Sequence, residues 1–150
     1  YTAVGLAINA GAATVKTTNT AQVMYNGYMA AVAAASAIAF PSGFPVQPAS
    51  STFIYVLGMK LDGTKRLFGP TEVVDSAGAV VNHRQPSQYL SSINNTFPRI
   101  PQPFVPVGAV KVVTNASTTF TPGTTALDAA GLTVTFSDLA GTPPAFGIGV

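Results

Sequence analysis

The amino-acid sequence predicts an all-β domain, a β-sandwich or barrel with a jelly roll as one variant, carrying long Pro/Gly-rich loops. Three observations lead to it. Short runs of β-branched and aromatic residues repeat with a period of two, Asn-Gly, Asp-Gly and Pro-Gly turn signals separate them, and no stretch sustains the periodicity of a long helix. The 150 residues read as one domain, 1–150, large enough for a single core, with a loop or arm at 40–51, an irregular insertion at 70–103 and a C-terminal tail at 138–150.

Residues 4–8 give a short apolar run that Asn9-Ala10-Gly11 breaks, and residues 14–20, rich in β-branched side chains, form the next strand. Asn26-Gly27 suits the positive φ angles of a two-residue type I′ turn, which sets Tyr25 opposite Tyr28 and Met24 opposite Met29. Residues 30–39 are ambiguous: their alanines favour a short helix, while the hairpin before them feeds in a strand. Pro41, Pro45, Pro48 and Gly43 then make residues 40–51 a surface loop or extended arm. Its Phe40 and Phe44 either plug the edge of the domain's own core, the simpler reading, or dock on a neighbouring subunit.

Phe53, Tyr55, Leu57, Met59 and Leu61 alternate with Ile54, Val56, Gly58 and Lys60, a strand apolar on both faces up to a hairpin tip at Asp62-Gly63. Charge selects the register there. A two-residue loop sets Lys60 opposite Lys65, whereas a three-residue loop with Gly63 left-handed pairs Lys60 with Thr64 and Leu57 with Leu67. Residues 71–99 are the least regular, with a turn at Asp75-Ser76-Ala77-Gly78, then Val80-Val81, then a polar run holding the only histidine, His83. Pro98, Pro101, Pro103 and Pro106 keep the following approach extended, which suits an edge strand or one crossing between sheets. Residues 105–113 are apolar on both faces, as in a strand inside a sandwich. Leu132, Val134 and Phe136 alternate with Thr133 and Thr135, a half-buried strand with a hydroxyl face. Between them Thr121-Pro122-Gly123-Thr124 has the chemistry of a type II turn. The tail beyond is a loose terminus or an arm ordered by a partner.

Charged residues make up 8% of the chain, about a third of the usual share, so Thr, Ser, Asn, Gln, Gly and Ala must build most of the surface. Such a surface has little electrostatic protection against association, which favours an assembly component covered by other subunits. A net charge of +2 without a basic cluster argues against nucleic acid. No apolar stretch reaches the roughly 20 residues of a spanning helix, so no membrane partner is expected. The absence of cysteine removes disulfides and thiolate metal sites.

Catalysis has little to work with. A triad has to combine His83 with Asp75 or Asp128, and no serine stands in a nucleophile-elbow context. A carboxylate pair has to come from Asp62, Glu72, Asp75, Asp128 and Asp138, of which Asp62 caps a hairpin and Asp128 suits a turn before Gly131. Metal-ligand spacing and phosphate-binding glycine motifs are missing, so the expectation is a protein without cofactor and without enzymatic activity.

The segment Phe120-Thr121-Pro122-Gly123-Thr124-Thr125-Ala126-Leu127-Asp128-Ala129-Ala130, preceded by Val107-Gly108-Ala109-Val110-Lys111-Val112-Val113, resembles a family of small tailed-bacteriophage structural proteins with head-decoration and related virion-surface roles. The hairpins at Asn26-Gly27 and Asp62-Gly63 fit its looser pattern; residues 70–99 fit none of it. The resemblance implies a capsid decoration, or cement, protein on the virion's capsid surface, a homo-oligomer with a trimer among its states, whose partner is the major capsid protein. Contact residues are then sought among apolar-tipped segments and interface-prone side chains: Phe40, Phe44, Phe97, Phe104 and Phe146, with Tyr89 and Arg99 as anchors. The alternative is a tail-fibre, spike or head-fibre module that attaches to host glycans through Gln88-Tyr89 and Asn94-Asn95. No heptads or repeats support a fibre.

Overall fold

A computed structural model describes residues 3–9 and 12–139 of the chain. In order it forms β1 (Leu6–Ile8), β2 (Thr14–Thr17), β3 (Ala21–Tyr25), β4 (Tyr28–Val32), β5 (Ile38–Ala39), β6 (Thr52–Met59), β7 (Lys65–Phe68), β8 (Glu72–Val74), β9 (Val80–His83), α1 (Pro86–Ile93), β10 (Val105–Thr114) and β11 (Leu132–Asp138). All strand pairs are antiparallel, so the fold is all-β. A four-stranded sheet runs β11-β10-β6-β7, a three-stranded sheet β1-β2-β5, and β3-β4 and β8-β9 are separate two-stranded hairpins. The four-stranded sheet ends openly at β11 and β7, so it closes no barrel, and the jelly-roll variant finds no support in this strand order.

One core joins three of these sheets. Phe53, Tyr55, Leu57 and Met59 of β6 meet Val110 and Val112 of β10, Val15 of β2, Ile38 of β5 and Val23 and Val32 of the first hairpin. The other face of β6 and β10, with Ile54, Val56 and Ala109, is covered by Phe97, Ile100 and Leu139. Period-two alternation places every second side chain of β6 on each face, and both faces are buried, which is why the strand reads as continuously apolar.

Turn chemistry sets the local registers. Asn26 and Gly27 take φ of 50° and 80°, and Tyr25 pairs with Tyr28 and Met24 with Met29. At the second hairpin Gly63 takes φ 91°, the Lys60 amide donates to the Thr64 carbonyl at 2.9 Å, and Leu57 faces Leu67, the register that separates Lys60 from Lys65. Gly123, at φ 81°, sits in a turn closed by Thr124 N–H to the Thr121 carbonyl at 3.0 Å.

One ambiguity is settled and two expectations are corrected. The alanine-rich stretch, open between helix and strand, holds no helix: β4 continues to Val32, and β5 pairs with β2 at Ile38–Ala39. The stretch 70–103 is not irregular throughout, since it contains β8, β9 and α1. Its pattern is obscured because the ladder slips between Val73 and Val74, leaving Val81 as an extra, exposed residue, and because α1 has no side-chain cap and no acidic first turn, only Pro86 at its start. Finally, β10 is interior, flanked by β6 and β11, and not an edge. Pro106 is tolerated there because the ladder slips between Pro106 and Gly108, and the extra residue, Val107, points into the core.

Two tests follow from this packing. Phe120 is fully buried edge-to-face against Phe40 and Tyr55, at 5.9 and 6.1 Å, so Phe120→Ala should cost about 3–5 kcal/mol in denaturant unfolding. At the hairpin tip, hydrogen bonds from the Thr64 side chain and backbone hold the Asp62 carboxyl below its ordinary range. Its stabilising contribution is therefore present above the unfolded-state value and lost as pH falls through the folded one, and an NMR titration of Asp62 against unfolding at the same pH should show both.

Candidate interaction surface

The residues nominated from sequence are brought to different places. Phe40 lies in the core, edge-to-face on Tyr55 at 5.1 Å, and Phe44 packs on Tyr55 at 5.9 Å and on the His83 ring at 5.1 Å. A side chain at Gly69 would drive into the Phe44 ring, so glycine there makes the seat for it. Both rings plug the domain's own core, and Phe40 is not an available contact. Phe97 is half-buried over Ile54, Val56 and Ala109. Phe104 is half-buried, edge-to-face with Phe68 at 4.9 Å and capped by the Lys60 ammonium at 4.9 Å. Arg99 is exposed, and Tyr89, on α1, is 47% exposed. Phe146 lies outside the described residues. The physical reason is common to the four phenylalanines: burying such a ring is worth about 1.5–3 kcal/mol, so a proline-rich loop folds its rings inward where a groove is within reach.

Glu72, Asp75 and His83, three of the polar groups considered for chemistry, hold local structure. Glu72 accepts from Arg66 at 2.6 Å and from the Gly69 amide at 2.8 Å, closing the turn after β7. Asp75 accepts from the amides of Ala77 and Ala79, both at 2.9 Å, in the β8–β9 turn. His83 Nδ1 lies 3.1 Å from the Thr71 hydroxyl. Among the described residues no group of three or more His, Asp or Glu could hold a metal ion, and no helix is long and apolar enough to cross a membrane.

What the structure exposes instead is the outward face of the first hairpin. Along β3, Ala21 and Val23 are buried and Gln22 and Met24 exposed; along β4, Val32 is buried and Met29 and Ala31 exposed. Cross-strand pairs share a face, so Met24 and Met29, at 53% and 64% exposure, form an apolar step flanked by Gln22 and Ala31. Tyr28, 73% exposed, lies at the turn on the opposite face, paired with Tyr25, whose hydroxyl donates to Gln102 Oε1 at 3.1 Å and fixes the turn to the loop before β10. With only two strands, nothing in the described chain pairs with the outer edges of β3 and β4. Its neighbours in sequence are uncharged too, since residues 17–59 contain no Asp, Glu, Lys, Arg or His. Sequence reasoning had the register that pairs the two methionines. It missed that this pair lies opposite the Ala21-Val23-Val32 face, so that burying one face leaves the other in water.

Comparison with known proteins adds no relative: no family, no curated protein and no solved structure matches the chain.

The two faces of the hairpin make a paired test. Val23→Thr should lose about 1–3 kcal/mol by burying a hydroxyl without a partner, whereas Met29→Thr should stay within about 0.5 kcal/mol of the parent in the same urea titration.

Proposed function

We propose that this chain is a non-enzymatic structural protein of a tailed-bacteriophage virion, a decoration or cement protein that binds the outer surface of the head as a homo-oligomer and bridges neighbouring subunits of the major capsid protein. The observation that carries the proposal is the uncovered thioether face of the β3–β4 hairpin on a domain with so few charges. An apolar step within a stretch of sequence that carries no charge is costly to leave in water and suits burial against another protein. The likeness of residues 107–130 to the phage decoration family supplies the setting. Burying uncharged surface across the joints between shell subunits means that expansion or internal pressure must break those contacts as well. A standard interface needs about 800 Å² from each partner, so Met24 and Met29 serve as its anchor rather than its full extent.

A second reading, a fibre or spike module that attaches to host glycans, is favoured by one feature: Gln88 and Tyr89 stand exposed together on α1. It is weakened by Asn94, whose side-chain oxygen accepts from the Thr52 amide at 2.6 Å and is committed to the fold.

The deciding measurement is the copy number of the chain in purified particles relative to the major shell protein, by quantitative mass spectrometry. A ratio near unity, or a simple fraction set by shell symmetry, is expected for decoration; a few copies per particle would move the protein to a fibre and make Tyr89 the residue to test against glycans.

A further inference from the structure

We infer that β4 is the edge through which two copies of this chain join: they pair antiparallel along residues 28–32, about a two-fold axis at Ala30, into one continuous sheet. Such a dimer is the homo-oligomer of the reading above, on which this inference rests, and it leaves the face of Met24 and Met29 open.

The first support is how the molecule guards its other strand edges. β1 and β5 are only three and two residues long. β7 carries Lys65 and Arg66, the β8–β9 pair carries Glu72, His83 and a slipped ladder, and β11 ends at Asp138 with β1 packed against it. Short length, charge and irregularity are what keep an edge from pairing with another chain. β4 has no such guard beyond its modest length: Tyr28-Met29-Ala30-Ala31-Val32 is uncharged, free of proline and in unbroken register with β3. Because β3 packs on β10, β4 is the open side of the hairpin.

The second support is where the backbone groups point. Residues flanking a two-residue hairpin turn exchange hydrogen bonds, and bonded pairs alternate from there. Tyr25–Tyr28, Val23–Ala30 and Ala21–Val32 are therefore the bonded pairs, and the N–H and C=O of Met29 and Ala31 point outward from β4. Among the described residues none bonds to them.

The sequence of the strand selects a second copy as the occupant. Turned about Ala30, β4 sets Met29 opposite Ala31 of the second copy, so each outward donor meets an acceptor. The same register sets Tyr28 against Val32, an aromatic and β-branched pair of the kind that stabilises a sheet, places bulky Met29 beside small Ala31, and sets Ala30 against itself. Tyr28, 73% exposed in the single chain, thereby gains a neighbour. With no charge on the strand, identical edges meet without repulsion. The outward faces of both hairpins then lie on one side of the joined sheet, so the two thioether steps form one larger anchor.

The isolated chain tests this separately from the copy number in particles. Light scattering should give twice the chain mass at high concentration; a monomer up to the solubility limit, or a trimer, which a single two-fold cannot make, would overturn it. Ala31→Pro removes only an outward N–H, so it should keep the parent's circular dichroism and become monomeric. A folded variant that stays dimeric would overturn the proposal. The chain has no cysteine, so single cysteines decide the matter even if that variant fails to fold. Across the two-fold, Ala30→Cys meets its own copy within disulfide reach, whereas Ala31→Cys lies beyond it, so half-buried position 30 should cross-link several-fold faster than exposed position 31. Equal rates, or the faster rate at 31, would overturn the pairing.

Discussion

The amide of Gln47 is the contact on which the rest of the architecture depends. Gln47 is fully buried within a proline-rich loop that cannot enter a sheet, yet it pairs with Phe120 through both backbone bonds, at 2.8 and 3.0 Å. Its side-chain nitrogen donates to the carbonyls of Val112 and Ser51, at 2.9 and 3.3 Å, and its oxygen lies 3.5 Å from the Tyr55 hydroxyl. One residue so stitches the loop 40–51 to β6, to β10 and to the connector after β10. Burial pushes the Tyr55 phenol well above its ordinary range, which keeps it protonated and able to donate. The stitch continues through Ser51 and Thr114, whose hydroxyls donate to the Pro48 carbonyl at 2.6 and 2.7 Å. Leaving such a group unpaired inside costs about 1–3 kcal/mol, so these partners must all be present together. With the loop held this way, Phe40 and Phe44 have one place to go, the aromatic cluster around Tyr55 and Phe120.

That arrangement explains what could be read from the sequence. Both short hairpins were legible because their information is local: Asn26-Gly27 and Gly63 demand particular φ angles, and like charge at Lys60 and Lys65 excludes the competing register. That β6, β10 and β11 are strands followed from alternation. What escaped was non-local. Nothing around Gln47 announces a buried amide, since its partners lie at Val112 and Phe120, and without it a proline-rich loop reads as a surface arm even where its Phe40 and Phe44 are assigned to the domain's own core. The hairpin β8–β9 escaped because the extra residue at Val81 breaks the two-residue period, and α1 because Pro86 is the only helix signal it carries. The exposed thioether pair escaped for a related reason: the aromatic rings of the loops attract attention, while that pair was hidden inside a correctly paired hairpin.

The scarce charges are also less free than composition suggests. Arg66 is ion-paired with Glu72 and lies over the Phe68 ring at 4.4 Å, and Lys60 lies over Phe104, which itself stands edge-on to Phe68. A column of cation, ring, ring and cation thus runs along the β6–β7 side of the sheet, with Phe68 buried and Phe104 half-buried within it. Two of the seven basic side chains are engaged in this way, and the hairpin face on the other part of the molecule has none nearby in sequence.

The uncharged stretch 17–59 therefore fixes how any contact made there responds to its medium. With no ions to screen, adding simple salt leaves its strength nearly untouched, whereas a contact through Arg84 or Arg99 fades as the Debye length shrinks. Sulfate and phosphate, which are excluded from apolar surface, tighten it. Cooling loosens it, because the driving force is the release of water from hydrocarbon and thioether groups, and that force weakens as the temperature falls.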